Sequence, residues 1–419
     1  FSLRIMELFF KQKNFDVSII LNVLDELIAY NSANVAKVEQ AYKLRAKCLS
    51  KLKRKKEERQ NNISLADYYL DFAEKTFQKD IQGAWRAVDF YQKGIILYRN
   101  NGKPEKASAA QKRLIEIQKE IPKTMMPISI KLDIKGVVDN IKANIEGLSF
   151  EECVVRLIQM FGFEKQEDIK NRVIKEFKDQ PIPHLFGKNL INAQGQTVLT
   201  LPPLDIHNPE KDSRLIELHM YQNELKKQKF IGDVWIKNAL NIIRDRFVID
   251  KPMVEFLVKD NPIIPTGRER IFQSGLYMFF NGDYYEAMHI LAPQVENLFR
   301  DIAQGAGGIT VTLEKDGTSM EKVLSSILSL PELMDCYDND ILFIFRGLLN
   351  ERAGANIRNE IAHGIISESA CSTGACLYFG VAVIKLLSLT SSPYYQILKN
   401  SEKLKHFEIP SKDTLKIIR

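Results

Sequence analysis

The feature that most constrains the fold is the apolar run at residues 375–390, ACLYFGVAVIKLLSLT. This run contains Lys385 and is shorter than the ~20 apolar residues that a membrane-spanning helix needs. We therefore expect a helix buried in a globular core, over roughly residues 370–389, and no membrane span. Helix signals with short connections also surround it, which is typical of a helical bundle.

The composition is that of an ordinary globular protein, with 45% hydrophobic and 27% charged residues over 419 positions. The length allows about two or three domains. Because the chain begins at Phe1, we expect a fragment in which any upstream targeting signal is invisible. The five cysteines are scattered without a CxxC pair, which predicts reduced thiols and a cytoplasmic location.

Four segments follow from the pattern of helix, turn and strand signals. Residues 1–124 are helical throughout, and residues 125–264 form a mixed α/β middle region. That region contains a β-hairpin, predicted over residues 190–201 and turning at Gln194-Gly195. Residues 265–395 form a helical bundle, and residues 396–419 are a C-terminal tail. The predicted class is mainly α.

The N-terminal segment resembles a tetratricopeptide-type array of helical hairpins, although no clean 34-residue period repeats. Small and aromatic residues recur at helical spacing from Ala84 to Ala107, and a turn is predicted at Asn101-Gly-Lys-Pro104. Such an array is typical of scaffolds, so we expect a protein or peptide partner here. Two sequences resemble capping boxes and predict helix starts, Ser64-Leu-Ala-Asp67 and Thr318-Ser-Met-Glu321.

The strongest functional signal is Arg358-Asn-Glu-Ile-Ala-His363, followed at once by Gly364. A guanidinium can hold an anionic phosphorane through fixed, paired donors, and an imidazole can move a proton near neutral pH. An arginine, a carboxamide and an imidazole within six residues therefore predict a phosphoryl-transfer site that works without metal.

The residues around this motif resemble the DUF4209 family, which is defined by an Arg-Asn-x-x-x-His-Gly core and belongs to the HEPN-like all-α domains. The resemblance covers about residues 181–389, half of the chain. Besides the motif it rests on Pro183-His-Leu-Phe186, Gln273-Ser-Gly-Leu-Tyr277, the segment 280–296, Asp316-Gly317 and Arg346-Gly-Leu-Leu349.

The wider superfamily gives this resemblance its functional content. HEPN ribonucleases are metal-independent endonucleases that work as dimers, and they are common in toxin–antitoxin systems, in phage defence and in RNA processing. The resemblance implies RNA as substrate, a homodimer formed through the C-terminal bundle, and a role in stress, defence or RNA turnover. It implies no metal and no cofactor.

Cleavage of RNA by its own 2′-hydroxyl needs a base, an acid and positive charge at phosphorus. We expect His363 to serve as base or acid and Arg358 to stabilise the phosphorane. Asn359 precedes His363 by four residues, shares its helix face and is expected to orient the ring. One chain offers one such histidine, so the mechanism predicts a two-fold dimer that supplies both acid and base.

Three further residues fall on one face of a helix predicted over about residues 283–304, at i, i+7 and i+11: His289, Glu296 and Arg300. They are candidates for a supporting role beside the motif. The alternative is a structural ion pair between Glu296 and Arg300, which are four residues apart.

Positive charge is concentrated in the N-terminal segment. Residues 1–124 hold 24 Lys+Arg against 15 Asp+Glu, whereas the remainder holds 35 against 38. The densest stretch supplies the candidate RNA-binding residues Lys51, Lys53, Arg54, Lys55 and Lys56. The alternative is a solvated helix end and loop.

Other signals predict no metal site. The acidic stretch 335–340 is expected to cap a helix, and four histidines lack a partner at ligand spacing: His184, His207, His219 and His406. The motif itself also has a structural interpretation, in which Asn359, Glu360 and His363 cap the ends of a helix. The alternative function is therefore a non-catalytic scaffold whose bundle only dimerises.

Overall fold

A computed structural model of the chain describes residues 3–12, 16–30, 34–79, 82–126, 131–192, 194–205, 212–405 and 416–417. The described chain is mainly α, as predicted, with short strands in three two-stranded sheets. It divides into two compact units, Phe1–Ile128 with Ile191–Val198, and Ser129–Leu190 with Leu199–Arg419. The finer division into residues 1–124, 125–264, 265–395 and 396–419 stays a prediction.

The first unit is a series of helices in which each packs against the next along the chain. Its apolar residues form two clusters, one on the first three helices and one on the last three. The helices are α1 (Leu3–Lys11), α2 (Val17–Tyr30), α3 (Val35–Lys51), α4 (Lys55–Lys79), α5 (Gly83–Asn100) and α6 (Pro104–Gln118), followed by a 3₁₀ turn at Ile121–Thr124.

The turn predicted at residues 101–104 is confirmed. Helix α5 ends at Asn100, α6 begins at Pro104, and Gly102 between them has a φ of 66°, which glycine adopts without a steric penalty. The helix start predicted at Ser64 is wrong, because residues 64–67 lie inside α4. Acidic Glu57 and Glu58 mark the true first turn, where negative charge interacts favourably with the helix dipole.

The described residues of the second unit surround one large apolar core. Its helices are α7 (Lys135–Ile145), α8 (Phe150–Met160), α9 (Gln166–Asp179), α10 (Ser213–Ile231), α11 (Lys237–Arg246), α12 (Glu269–Asn281), α13 (Tyr284–Gly305), α14 (Leu324–Ile327), α15 (Pro331–Cys336), α16 (Asn339–Leu349), α17 (Ile357–Ala362), α18 (Glu368–Cys371), α19 (Gly374–Ser388), α20 (Ser392–Asn400) and α21 (Glu402–Lys405). Short 3₁₀ turns occupy Ile182–His184 and Pro252–Leu257, and a π-helical turn, Gly232–Ile236, joins α10 to α11.

The apolar run predicted to be a core helix is α19, in which every residue except Lys385 is buried. The Lys385 ammonium group donates to the Phe161 carbonyl oxygen at 2.9 Å, and burial lowers the pKa of this lysine. The start of α19 touches the π-helical turn backbone to backbone. A Cβ atom at Gly232 would lie 1.9 Å from the Gly374 carbonyl oxygen, so this contact requires glycine.

The strands are short: β1 (Leu132–Asp133), β2 (Lys188–Ile191), β3 (Thr197–Leu201), β4 (Val311–Leu313), β5 (Ser319–Glu321) and β6 (Lys416–Ile417). The predicted hairpin at residues 190–201 is confirmed as β2–β3, with Gly195 at a φ of 75°. The helix start predicted at Thr318 is wrong. Residues 319–321 instead pair antiparallel with residues 311–313 across a turn that contains Gly317.

Within the described residues, no single helix is long and apolar enough to cross a membrane. Helices α19 and α20 reach the required length and composition only together, and they are bent by 91°. His207, His406 and most of the predicted tail after residue 405 lie outside the described residues.

Candidate functional site

The motif lies on α17, a short helix whose entry is held by the end of α16. The Ala355 N–H donates to the Gly347 carbonyl oxygen at 2.9 Å, and Asn356 has a left-handed φ of 55° immediately before the helix. The helix ends at His363, and Gly364 leaves it with a φ of 64°. Arg358, Asn359 and His363 are thus carried by fewer than two helical turns.

Arg358 forms two hydrogen bonds to the carboxylate of Glu296 on α13. Its Nε donates to Oε2 and its Nη2 donates to Oε1 at 3.2 Å, while Nη1 donates to Asn359 Oδ1 at 3.3 Å. A guanidinium has five N–H groups, so one N–H on each terminal nitrogen stays outside these bonds. The side chain as a whole is 30% exposed.

Glu296 is shared between two arginines, since Arg300 Nη2 also donates to Oε1 at 3.1 Å. Arg300 in turn binds the β4–β5 hairpin on both sides of its open end: before β4, its Nη1 donates to the Thr310 carbonyl oxygen at 3.4 Å, and its other bonds to the hairpin are at the end of β5. Its Nη1 donates to Glu321 Oε2 at 2.8 Å and its Nη2 donates to the Lys322 carbonyl oxygen at 2.8 Å. The predicted i, i+4 ion pair is therefore present, and its carboxylate also holds the motif arginine.

Asn359 orients Arg358 and the start of the motif helix. Its Nδ2 donates to Asn356 Oδ1 at 2.7 Å and to the Asn350 carbonyl oxygen at 3.3 Å, and its Oδ1 accepts from Arg358. The contact predicted between this carboxamide and the His363 ring is not among the hydrogen bonds of the described residues.

The His363 ring is exposed, and it has no hydrogen-bond partner within the part of the chain that the structure describes. Its backbone N–H donates to the Asn359 carbonyl oxygen at 3.0 Å. The imidazole is accordingly available to a ligand.

His289 is held by its own helix. Its Nδ1 lies 2.8 Å from the Tyr285 carbonyl oxygen, and its ring centroid lies 4.1 Å from that of Tyr285. Among the described residues it forms no hydrogen bond with the motif, so the structure joins Glu296 and Arg300 to the motif but not His289.

The candidate RNA-binding residues of the first unit differ in how firmly they are held. Lys51 donates to the Phe10 carbonyl oxygen at 3.2 Å, and Arg54 is paired with Glu57 through two hydrogen bonds. Lys53, Lys55 and Lys56 are exposed at the α3–α4 turn, and no hydrogen bond or ion pair involves their side chains within the described residues. Of the five candidates, these three are therefore held least firmly by the described part of the chain.

Among the described residues, no group of three or more His, Cys, Asp or Glu side chains could hold an ion. Four of the five cysteines are buried, and burial raises the pKa of Cys48, Cys153 and Cys371 to about 11, so these thiols stay protonated.

Sequence reasoning also missed a contact between two histidines that are far apart in the chain. The rings of His184 and His219 lie with their centroids 5.8 Å apart in the second unit. They are 35 residues apart in the sequence, and no short motif links them.

Comparisons with protein-family models, with curated proteins and with solved structures found no match for this chain.

Proposed function

We propose that the chain is a metal-independent endoribonuclease that cleaves RNA through attack of the 2′-hydroxyl on the adjacent phosphorus. The observation that supports this proposal is a pair of side chains on α17. Arg358 is fixed by Glu296 and Asn359 with one N–H free on each terminal nitrogen, and the exposed His363 ring has no hydrogen-bond partner among the described residues. The resemblance to DUF4209 and HEPN domains points to the same chemistry.

In this reaction the O–P bond to the 2′-oxygen forms while the bond to the 5′-oxygen of the next nucleotide breaks. A base takes the 2′-hydroxyl proton and an acid protonates the leaving oxygen, giving a 2′,3′-cyclic phosphate and a 5′-hydroxyl. His363 is the proton-transfer group, a role that typically contributes ~10²–10⁴-fold. Arg358 stabilises the phosphorane charge through its free N–H groups.

Glu296 and Asn359 are positioning residues in this proposal. A carboxylate that grips the Nε edge of Arg358 prevents the guanidinium from rotating, and pre-organised donors stabilise a transition state better than mobile ones. A two-fold dimer formed through the second unit would supply a second His363, so that one imidazole acts as base and the other as acid.

The test is cleavage of labelled single-stranded and structured RNAs in EDTA by the wild type, His363→Ala and Arg358→Ala. We expect cyclic-phosphate products from the wild type and losses of ~10²-fold or more in both variants. His289→Ala is the matched control, because it removes a histidine that forms no hydrogen bond with the motif among the residues that the structure describes.

The outcomes separate the alternatives. No cleavage of a broad RNA panel by a folded dimer would overturn the ribonuclease proposal. Cleavage that survives both motif changes would place the reaction elsewhere in the chain or in a contaminant. Loss in His289→Ala equal to that in His363→Ala would show that α13 contributes directly to the chemistry.

A second candidate function, a scaffold that binds a protein partner, is favoured by a row of aromatic rings in the first unit. Half-buried rings follow one another across α3, α4 and α5, with centroid separations of 6.4, 6.4 and 5.0 Å between Tyr42, Tyr68, Phe72 and Phe90 in turn. Aromatic side chains at such surfaces are frequent anchors for peptides. Partner binding that survives both motif changes in a chain without nuclease activity would favour this function.

A further inference from the structure

Two histidines of the second unit are buried against a single phenylalanine. The Phe177 ring centroid lies 4.3 Å from that of His184 and 5.0 Å from that of His219, in edge-on arrangements. His184 is 5% exposed and His219 is 7% exposed. Phe177 belongs to α9, His219 to α10 and His184 to the 3₁₀ turn that follows α9.

Each imidazole has one buried nitrogen without a hydrogen-bond partner among the described residues, Nδ1 in His184 and Nε2 in His219. A protonated imidazole has two N–H donors, so protonation would leave a charged ring and a buried N–H with no acceptor. Burying an unpaired charge costs far more free energy than burying a neutral ring.

The charged groups around the pair do not offset a positive charge. Lys188 on β2 and Lys226 on α10 act on both rings and oppose their protonation. Glu176 on α9 is the carboxylate that favours protonation of His184, and its Oε2 already accepts a hydrogen bond from Asn223 at 2.9 Å. Two cations against one engaged carboxylate also make the pair a poor site for a metal ion.

His184 is the one buried residue in the segment 181–190. Its neighbours Ile182 and Phe186 are 69% and 68% exposed, and its carbonyl oxygen accepts from the Leu204 N–H at 3.0 Å. The packing of this segment against α9 and α10 therefore depends largely on the His184 ring. The segment continues directly into Ile191–Val198, which belongs to the first unit.

We propose that His184 and His219 form an acid-sensitive anchor, in which protonation of either imidazole releases residues 181–190 from α9 and α10. The anchor does not depend on the ribonuclease proposal. Through this anchor, acidification releases residues 181–190, which lead directly into the segment Ile191–Val198 of the first unit.

The direction of the pH dependence follows from the burial of the two rings. Burial, helped by His184 and the two lysines, lowers the pKa of His219 to about 4 from an ordinary value of 6.5, and burial also lowers the pKa of His184. A histidine whose pKa is lowered by folding stabilises the closed state fully above pH 6.5. That contribution falls as the pH drops from 6.5 through the folded-state pKa.

Hydrogen–deuterium exchange of peptides covering residues 181–190 tests the anchor, after correction for the pH dependence of intrinsic exchange. For His219 alone, we expect the opening equilibrium constant to rise about 30-fold between pH 7.5 and pH 5.0. His219→Leu should remove most of this rise, and the double variant His184→Phe/His219→Leu should remove all of it. His363→Gln is the matched control, because that ring is exposed and its loss should leave the rise intact.

A measurement on the wild type keeps the proposal testable if a variant fails to fold. Imidazole resonances followed by NMR should show that His219 stays neutral below pH 5.5 and that the pKa of His184 lies below its ordinary value of 6.5. Both results together would support the anchor. Titration of all described histidines near pH 6.5, or unchanged exchange of residues 181–190 at pH 5.0, would overturn it.

Discussion

Both units contain carboxylates shared between neighbouring helices, but the two settings differ in what surrounds the carboxylate. In the first unit, Asp67 on α4 accepts from the Tyr98 hydroxyl at 2.5 Å and from Lys106 Nζ at 2.7 Å. Glu74, two turns further along, accepts from the Tyr91 hydroxyl at 2.5 Å and from Arg113 Nε at 2.7 Å. We call these two sets the acid–tyrosine–cation rungs.

The rungs repeat because all three helices repeat. Each rung takes one residue from α4, one from α5 and one from α6, and the two members on every helix are seven residues apart. In each rung, the carboxylate accepts hydrogen bonds from the tyrosine hydroxyl and from the cation. A structural role therefore explains the rungs, which fix the register of three helices.

In the second unit, Glu296 is likewise shared by Arg300 and Arg358, and we call these three residues the Glu296 cluster. It differs from the rungs in one respect. Glu296 satisfies Arg300 and Arg358, yet the motif helix also presents the His363 ring, which has no partner among the described residues. A polar set in which every group has a partner indicates a structural role. A fixed cation and an imidazole without a partner among the described residues, both carried by one short helix, are instead expected of a ligand site.

The largest effect is expected from Glu296→Gln. The change leaves Arg300 and Arg358, which are 15% and 30% exposed, without their shared carboxylate, and should lower the free energy of unfolding of the second unit by about 2–4 kcal/mol. It should also lower RNA cleavage, because Arg358 loses the group that fixes its orientation.

The two tryptophans allow the unfolding of each unit to be measured separately, since Trp85 lies in the first unit and Trp235 in the second. Urea unfolding in a Trp85→Phe background follows the second unit alone. Glu321→Gln is the matched control, since it removes another carboxylate from Arg300 at a side chain that is 65% exposed, and should cost at most about 1 kcal/mol. Equal losses in the two variants would show that sharing the Glu296 carboxylate between Arg300 and Arg358 adds no stability to the second unit.

A smaller effect is expected from Tyr98→Phe. Burial, followed by the hydrogen bond to Asp67, raises the pKa of Tyr98, so its hydroxyl stays protonated and donates. Loss of a hydrogen bond to a half-exposed carboxylate should cost about 1–2 kcal/mol. Because folding raises the pKa, the contribution is present below pH 10 and is lost as the pH rises through the folded-state pKa.

Urea unfolding in a Trp235→Phe background, followed by Trp85 fluorescence, measures this loss in the first unit. Tyr91→Phe should give a loss of the same size, because it removes the matching bond to Glu74. Neither change should alter RNA cleavage. A clear fall in cleavage with either variant would contradict the structural role of the rungs.

The sequence predicted those parts of the structure that depend on local spacing. The turn at residues 101–104, the hairpin tip at Gly195 and the burial of α19 follow from residues within a few positions of one another. The ion pair between Glu296 and Arg300 could also be predicted, because residues four apart on a helix are neighbours.

Apart from the helix start predicted at Ser64, the misses have a common physical origin in tertiary contacts. The capping-box pattern at Thr318 was overridden by strand pairing with residues 311–313 and by the bonds of Arg300 to Glu321 and Lys322. Contacts between residues far apart in the chain leave no local signature. Glu296 with Arg358 and His184 with His219 are of this kind, so the core of the candidate site and the histidine pair could not be predicted.

The smallest effect on stability, within about 0.5 kcal/mol, is expected from replacing Lys53, Lys55 and Lys56 together by Gln, since none has a partner to lose among the described residues. If the ribonuclease proposal holds and these ammonium groups contact phosphates, the slope of log affinity for single-stranded RNA against log salt should fall by about 2, or ~0.7 for each charge. Lys51→Gln is the matched control, because that ammonium group is bonded to the Phe10 carbonyl oxygen. An unchanged slope in the triple variant would show that the turn is only a solvated helix end. The motif helix α17, with Arg358 and His363, would then remain as the candidate RNA-binding region.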